Sequence, residues 1–205
     1  MADMLPPVLQ HMESLGHAVF SDGDYDLNLF GVRSPDQTDG TFNDWLGCAY
    51  KKDGEWVVRW WQATTDPGLY YRQNPMNVGG TAILQCGQYR GVYKIDKHAG
   101  KYEALCQRNG VVTVWRDRNK DDVLDWDTTK PWTGHFGINL HASSSTPYGD
   151  NRDRREGGNV GKWSAGCQVH ATTRGFREMM ELARKQVSER GWDSFTYTLM
   201  DQWWK

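Results

Sequence analysis

A cysteine and a histidine stand in two short segments that suit nucleophilic chemistry. Cys167 ends a small-residue loop with a glycine before it, and His141 lies in an apolar run typical of a strand. The thiolate is the attacking form of cysteine, and a free thiol is mostly protonated at neutral pH. A nearby imidazole can accept that proton. The pair therefore predicts thiol catalysis, against the alternative that Cys167 is a small buried core residue.

The segments 135–142 (HFGINLHA) and 164–171 (SAGCQVHA) resemble the catalytic region of L,D-transpeptidases of the YkuD type. The signature of that family is an upstream histidine followed by Ser/Thr-His-Gly-Cys. The resemblance implies that His141 is the general base and that Cys167 is the nucleophile. The other loop positions that match the signature are Ser164 and Gly166.

The sequence departs from that signature in three ways. Ala165 stands where the family has histidine, and Val169 stands where an arginine or asparagine is common. The interval between the two catalytic residues is also longer than usual, because it contains the polar segment 148–162. We therefore expect another histidine, His135 or His170, to serve in place of the missing one.

The resemblance implies cysteine acyl transfer on the stem peptides of bacterial peptidoglycan. Water as the acceptor gives cleavage, and an amine gives a cross-link. We expect hydrolysis, as in a phage-type endolysin, because we find no signal peptide, membrane anchor or wall-anchoring repeat in the chain. Such an enzyme would be made in the cytoplasm and reach the wall after release or by delivery through a phage or secretion system. The alternatives are an L,D-transpeptidase proper and a non-enzymatic wall-binding virion or tail component.

The charged segment between the catalytic residues offers groups that could hold a substrate carboxylate. Guanidinium groups bind carboxylates through paired hydrogen bonds. The predicted substrate-binding residues are Arg152, Arg154, Arg155, His135 and His170. The alternative for this segment is a solvated surface loop.

A zinc site of His135, His141 and Asp150 is a weaker alternative, since its spacing matches no established zinc motif. His11, His17 and His98 are typical of surface or capping positions.

A second motif follows in the segment 117–127. Oxygen-bearing side chains recur at alternate positions, as in calcium-binding loops, and a main-chain carbonyl would complete the set. The predicted ligands are Asp117, Asn119, Asp121, Val123 and Asp125. An acidic solvated turn is the alternative, since Asp122 replaces the usual glycine and Thr128 the usual glutamate. A structural Ca²⁺ would brace the loop, and catalysis itself requires no cofactor.

The composition of the chain narrows the classes of binding partner. The 205 residues carry 24 basic and 26 acidic side chains, so no polycationic surface for nucleic acid is indicated. No apolar stretch is long enough for a membrane span. Eleven tryptophans and nine tyrosines, several of them in pairs, suit core packing or stacking on sugars. Nothing in the sequence indicates the oligomeric state.

The elements that must position these residues are mainly strands. We predict one mainly-β domain over 1–205, an L,D-transpeptidase-like sandwich or barrel with peripheral helices, one of them C-terminal. Residues 1–80 form an N-terminal extension or half-sheet, and residues 81–205 form the catalytic region. Asp53-Gly54 and Asn109-Gly110 predict hairpins. A strand over 135–142 would carry the histidine, and one over 167–170 the cysteine.

Overall fold

The chain is mainly β over the residues that the computed structural model describes, which are 4–36, 40–149 and 158–204. The strands are β1 (Asn28–Arg33), β2 (Asp44–Lys52), β3 (Glu55–Thr64), β4 (Thr81–Leu84), β5 (Gly87–His98), β6 (Tyr102–Gln107), β7 (Val112–Asp117), β8 (Trp132–Gly134), β9 (Leu140–Ala142), β10 (Gln168–His170) and β11 (Ser194–Asp201). The helices are α1 (Pro7–Ser14), α2 (Leu69–Gln73) and α3 (Thr173–Arg190). The predicted class, mainly β with peripheral helices and one helix near the C-terminus, is confirmed.

Eight strands close into a barrel in the order β1-β11-β5-β6-β9-β10-β3-β2, and β4, β7 and β8 form a second sheet. Two neighbouring pairs in the barrel are parallel, β1 with β11 and β9 with β10. Residues 1–80 supply β1, β2 and β3, and residues 81–205 supply the other five barrel strands. The first part of the chain is therefore a section of the barrel wall.

The hairpin predicted at Asp53-Gly54 joins β2 to β3. Both turn residues have positive φ, 53° and 80°, which is the backbone that a two-residue type I′ turn requires. Glycine adopts that backbone without a steric penalty, and aspartate tolerates it better than most residues. The local sequence signal therefore fixes the longest antiparallel ladder of the barrel, from Asp44 opposite Ala63 to Lys52 opposite Glu55.

The hairpin predicted at Asn109-Gly110 is wrong, because the strands on either side belong to different sheets. β6 pairs with β5 and β9, whereas β7 pairs with β4 and β8. The amides of Arg108 and Asn109 both donate to the carbonyl of Val92, at 3.1 and 3.0 Å, and so hold the chain against β5. Residues 108–111 then carry the chain from the barrel to the second sheet.

The single strand predicted over 135–142 is also wrong, because a buried side chain takes its hydrogen bonds. Gln107 Oε1 accepts from the amides of Phe136, Gly137 and Ile138 at 3.1, 2.9 and 3.2 Å. Gly137 has φ +71°, outside the strand region. The segment therefore folds around Gln107, and within it only β9 remains a strand, while β8 ends just before it at Gly134.

The remaining polar groups of Gln107 also have hydrogen-bond partners. Its Nε2 donates to the carbonyls of Gly110 and Gly134 at 3.0 and 2.9 Å. Its own backbone amide donates to Asn139 Oδ1 at 2.9 Å. One buried residue thus connects the end of β6, the start of the second sheet and the segment before β9.

Helix α3 has a defined start and stop. The Thr172 side chain accepts from the Gly175 amide at 3.0 Å, which caps the first turn. Gly191 ends the helix in the left-handed conformation at φ 71°. Its buried apolar face packs with the barrel core and consists of Phe176, Met179, Met180 and Ala183. None of the helices in the described ranges has the length and apolar character needed to cross a bilayer.

Removal of the Gln107 carboxamide tests its role in holding the segment before β9. We expect Gln107→Ala to lower the free energy of unfolding by about 2–4 kcal/mol, because buried amides lose their acceptor. Chemical denaturation measures this. Gln85→Ala is the matched control, since the Gln85 side chain has no hydrogen bond within the described ranges. Equal stability of the two variants would contradict the assignment.

Candidate functional site

A solvent-open cleft of about 580 Å³ brings the predicted catalytic residues together. It is formed by the second sheet, the end of β5 and the segments before β9 and β10. Its charged or reactive lining side chains are His98, Arg116, His135, His141, Lys162 and Cys167. Among the described residues, no aspartate or glutamate lines it. The cleft therefore combines a thiol, three imidazoles and two cations.

Parallel pairing of β9 with β10 places the two catalytic candidates on one face. His141 is in register with Val169, and Leu140 with Gln168. Cys167 comes two residues before Val169, and side chains alternate between faces along an extended chain. The Gln168 amide donates to the Asn139 carbonyl at 2.9 Å and extends the ladder to the cysteine loop.

The loop before Cys167 has the shape that its small residues permit. Gly166 has φ +122°, and a Cβ there would lie 2.6 Å from the carbonyl oxygen of Ala82. Buried Ser164 braces the turn, since its hydroxyl donates to the Cys167 carbonyl at 2.8 Å and accepts from the Gly166 amide at 3.1 Å. Glycine and serine at these positions therefore fix the backbone that presents the thiol.

This brace limits which amides can stabilise negative charge on a substrate oxygen. The Gly166 N–H, which its place in the loop would suggest as an oxyanion donor, is already used by Ser164. The Cys167 N–H has no acceptor within the described ranges. The Asn139 N–H points at the sulfur, at 3.4 Å. These last two amides are the N–H groups that remain available next to the Cys167 sulfur.

The Cys167 thiol is neutral in this arrangement. It donates to the Gly137 carbonyl at 3.4 Å, and burial raises its pKa to about 11, although the Asn139 amide opposes the shift. No hydrogen bond joins Cys167 to His141 in the described ranges. The structure therefore does not indicate a thiolate already formed by the histidine.

His141 is held as a neutral imidazole with one defined tautomer. Its Nδ1 lies 2.9 Å from the carbonyl of Ala142, and a carbonyl only accepts, so Nδ1 carries the proton. Burial and the neighbouring His98 lower its pKa to about 3. The unprotonated Nε2 is consequently available to accept a proton.

His98, interpreted from the sequence as a surface or capping residue, lies in the cleft and stacks on His141. The two ring centroids are 4.0 Å apart, with the planes inclined by 19°. Asn139 Nδ2 lies 3.0 Å from His98 Nδ1, and Asn139 Oδ1 accepts from the Gln107 amide. Asn139 therefore donates to His98. No local sequence pattern could have placed His98 or Asn139 in the cleft. The end of β5 and the segment before β9 come together only because both strands flank β6 in the barrel.

The other predicted substrate-binding residues differ in where they lie relative to the cleft. His135 is exposed and lines the cleft. His170 is fully buried, with Nε2 3.2 Å from the Met179 sulfur, so its position does not favour a substrate contact. Burial lowers its pKa to about 3. The remaining predicted residues, Arg152, Arg154, Arg155 and Asp150 of the zinc hypothesis, lie outside the described residues.

The predicted calcium loop begins at the end of β7, and none of its residues lines the thiol cleft. Asp117 is buried, and Asn119 Nδ2 lies 2.9–3.1 Å from carboxylate oxygens of Asp121 and Asp125. The Val123 amide donates to Asp121 Oδ1 at 2.8 Å. Within the described ranges, no group of three or more His, Cys, Asp or Glu side chains is already arranged around a metal position.

The charges in this loop repel each other. Burial and the nearby Asp125 carboxylate raise the pKa of Asp117 to about 6, against a smaller opposite effect of the Asn119 backbone N–H. The acidic loop is therefore electrostatically unfavourable in the absence of a cation. It lies outside the thiol cleft. β7 connects the two, because Arg116, next to Asp117, lines the cleft.

Comparison with protein-family models, with curated proteins and with solved structures finds no match for this chain. The resemblance to L,D-transpeptidases thus stays a prediction from the two segments.

The resting protonation of Cys167 can be measured by alkylation. We expect iodoacetamide labelling of Cys167 to rise with pH toward a pKa of about 11, because only the thiolate fraction reacts and that fraction grows about tenfold per unit below the pKa. Peptide mass spectrometry would follow each cysteine. Cys48 and Cys106 are buried and serve as internal controls. A labelling rate that is already constant above pH 7 would contradict the neutral thiol.

Proposed function

We propose that this protein is a cysteine peptidase that hydrolyses peptidoglycan stem peptides by L,D-transpeptidase-like acyl transfer. The observation that carries the proposal is the shared cleft of Cys167 and His141. One presents a partly exposed thiol, and the other an imidazole whose free nitrogen is Nε2. A thiol with a neutral base beside it is the arrangement that cysteine acyl transfer needs.

In the proposed reaction, the Cys167 S–H turns from the Gly137 carbonyl toward His141. Its proton passes to Nε2 as the sulfur attacks the peptide carbonyl carbon. The C–N bond then breaks, and the imidazolium returns the proton to the leaving amine, which gives a thioester. Water attacks the thioester with His141 again as the base. The products are a carboxylate and the free thiol.

Negative charge on the substrate oxygen requires donors close to the sulfur. The Cys167 N–H and the Asn139 N–H are the two amides available there. Hydrogen bonds to the carbonyl groups of the same two residues, from the Ser164 hydroxyl and the Gln168 backbone N–H, fix their positions. Donors that are already oriented stabilise the developing charge without a reorganisation cost. Asn139 is also the residue that donates to His98, so it connects the oxyanion region to the stacked imidazoles.

The charge of the cleft favours a substrate with free carboxylates. Arg116 and Lys162 line it together with the histidines, and no acidic side chain in the described ranges offsets them. The Arg116 guanidinium lies 5.0 Å from the Phe136 ring and donates to the Gly80 carbonyl at 3.1 Å. Its buried Nε has no hydrogen-bond partner in the described part of the protein. Stem peptides carry the carboxylates that such a group would bind.

The same charge distribution favours hydrolysis over cross-linking. A cross-linking enzyme must hold an acceptor amine, which is an ammonium ion at neutral pH before it reacts. A cleft with cations and without acidic lining residues among those described offers that ammonium no counter-charge. Water needs none.

A tryptophan-lined groove supports a second candidate function, the binding of wall glycan. The groove is lined by Trp45, Trp60, Trp203 and Trp204, and the last three are each 37–39% exposed. Exposed aromatic rings stack on sugars and other flat ligands. In a purely binding protein, retention on insoluble peptidoglycan would need these tryptophans and would not need Cys167.

The experiment that separates these functions is incubation with purified muropeptides followed by mass spectrometry. We expect the native protein to release a stem-peptide fragment with the mass of added water, and Cys167→Ala to release none, because no other group forms the thioester. Cys86→Ala is the control, since Cys86 is partly buried outside the cleft. Full activity of Cys167→Ala would sink the thiol mechanism. A condensed product would indicate cross-linking, and binding without a product would indicate the glycan-binding protein.

The role of Arg116 is tested by its removal. We expect Arg116→Ala to raise KM for carboxylate-bearing muropeptides by tenfold or more, because a hydrogen bond to a charged group is worth about 1.5–3 kcal/mol. The effect should shrink with amidated stem peptides. Arg118→Ala is the matched control, as Arg118 follows on the same strand end but does not line the cleft. Equal loss with amidated substrate would show that Arg116 acts only on the fold.

A further inference from the structure

The acidic loop after β7 contains a carboxylate that its surroundings do not satisfy. Asp117 is 1% exposed, and neither of its carboxylate oxygens has a hydrogen-bond partner in the described part of the protein. Buried carboxylates are normally paired or hydrogen-bonded, because an uncompensated buried charge is costly. The charged groups that act most strongly on it are other carboxylates, those of Asp125 and Asp121. Asp117 therefore lies close to further negative charge, and the Asn119 backbone N–H and Arg72 oppose its effect.

The point where these side chains meet is held by a group with little positive charge. Asn119 Nδ2 lies 2.9 Å from Asp121 Oδ2 and 3.0 and 3.1 Å from the two Asp125 oxygens. A side-chain amide donates hydrogen bonds but carries no net charge. The convergence of several carboxylate oxygens on one nitrogen marks a position where a cation would fit the charge far better.

The Asn119 amide can contribute in the opposite orientation. Its oxygen makes only a long contact, 3.4 Å, with the Asp121 amide. Rotation about the last side-chain bond exchanges oxygen and nitrogen, and the two are close in size. The turned amide would place Oδ1 among the carboxylates, and the exposed Val123 segment offers a main-chain carbonyl at the next alternate position.

From these contacts we infer a divalent cation site, selective for Ca²⁺, formed by Asp117, Asn119, Asp121, Asp125 and the Val123 carbonyl. All the ligands are oxygen atoms, which suits a hard cation and excludes the sulfur and nitrogen sets that zinc prefers. Ligands on a flexible loop suit Ca²⁺, with its longer and more variable bonds, better than Mg²⁺, which demands a strict octahedron.

The neighbourhood of the loop explains what the cation would do. Arg72 and Gln73 of α2 already hold Asp122, through its carbonyl at 2.7 Å and its side chain at 2.6 Å. The bound ion would fix the other side of the loop to the end of β7. This inference does not depend on the proposed peptidase function, because it concerns only the fold of the segment between β7 and β8.

Terbium luminescence provides the test, because Tb³⁺ takes Ca²⁺ sites and is excited by nearby indole. Trp126 follows Asp125 directly and stacks on Trp115 with centroids 5.3 Å apart. After chelator treatment, we expect Tb³⁺ emission on tryptophan excitation that Ca²⁺ reverses at far lower concentration than Mg²⁺. We also expect the melting temperature to rise by about 5–10 °C when Ca²⁺ exceeds its Kd a hundredfold.

Substitutions separate the site from nonspecific binding to an acidic surface. Asp117→Asn and Asp121→Asn keep the side-chain shape and should abolish both signals. Asp117→Asn should also raise the melting temperature of the metal-free protein, since it removes a buried charge. Asp127→Asn is the matched control and should keep both signals, because Asp127 is already paired with Lys130 at 2.9 Å.

The proposal is overturned if calcium shifts neither the melting temperature nor the terbium emission. It is also overturned if Asp127→Asn removes the signals as completely as Asp121→Asn does, since binding would then follow net charge and not the named ligands. Lower metal-free stability of Asp117→Asn, together with an unchanged calcium response, would equally exclude Asp117 as a ligand.

Discussion

The cleft depends on how one buried amide satisfies the backbone around it. Three consecutive N–H groups, from Phe136 to Ile138, would otherwise need a strand partner, and Gln107 Oε1 accepts all three. This interaction turns the segment before β9 away from the sheet. The turn places the Gly137 carbonyl and the Asn139 amide at the Cys167 sulfur. The chemistry of the thiol is therefore set by a residue that never touches it.

Burial, not charge pairing, dominates the electrostatics of this cleft. It raises the pKa of the Cys167 thiol and lowers that of His141, so both groups are neutral at physiological pH. A buried ion pair would have to offset the desolvation of two charges. The neutral pair avoids that cost and keeps the base in one tautomer through the Ala142 carbonyl. The stacked His98 adds to the penalty for protonation.

The sequence predicted what short-range chemistry determines. The turn at Asp53-Gly54 and the mainly-β class both follow from local backbone preferences. The placement of a cysteine and a histidine in one cleft came from two short segments. Other features depend on strand order. These are the contacts of Gln107, the position of His98 in the cleft, and the placement of β6 and β7 in different sheets. That order is decided by packing between distant segments, which local patterns do not encode.

The parallel pairing of β9 with β10, which aligns the candidate catalytic residues, also has a consequence for folding. β10 contains only three residues, yet it closes the barrel between β9 and β3, with two register pairs to β3, Val169 with Thr64 and His170 with Ala63. These partners lie far apart in the chain, so their contacts carry a high loop-closure cost and form late. A pairing with so few ladder bonds should open locally, and exchange its amide hydrogens, faster than the nine-pair ladder between β2 and β3. The loop that presents Cys167 thus leads directly into a weakly paired strand of the barrel, so the geometry of the candidate site depends on the closure of that pairing.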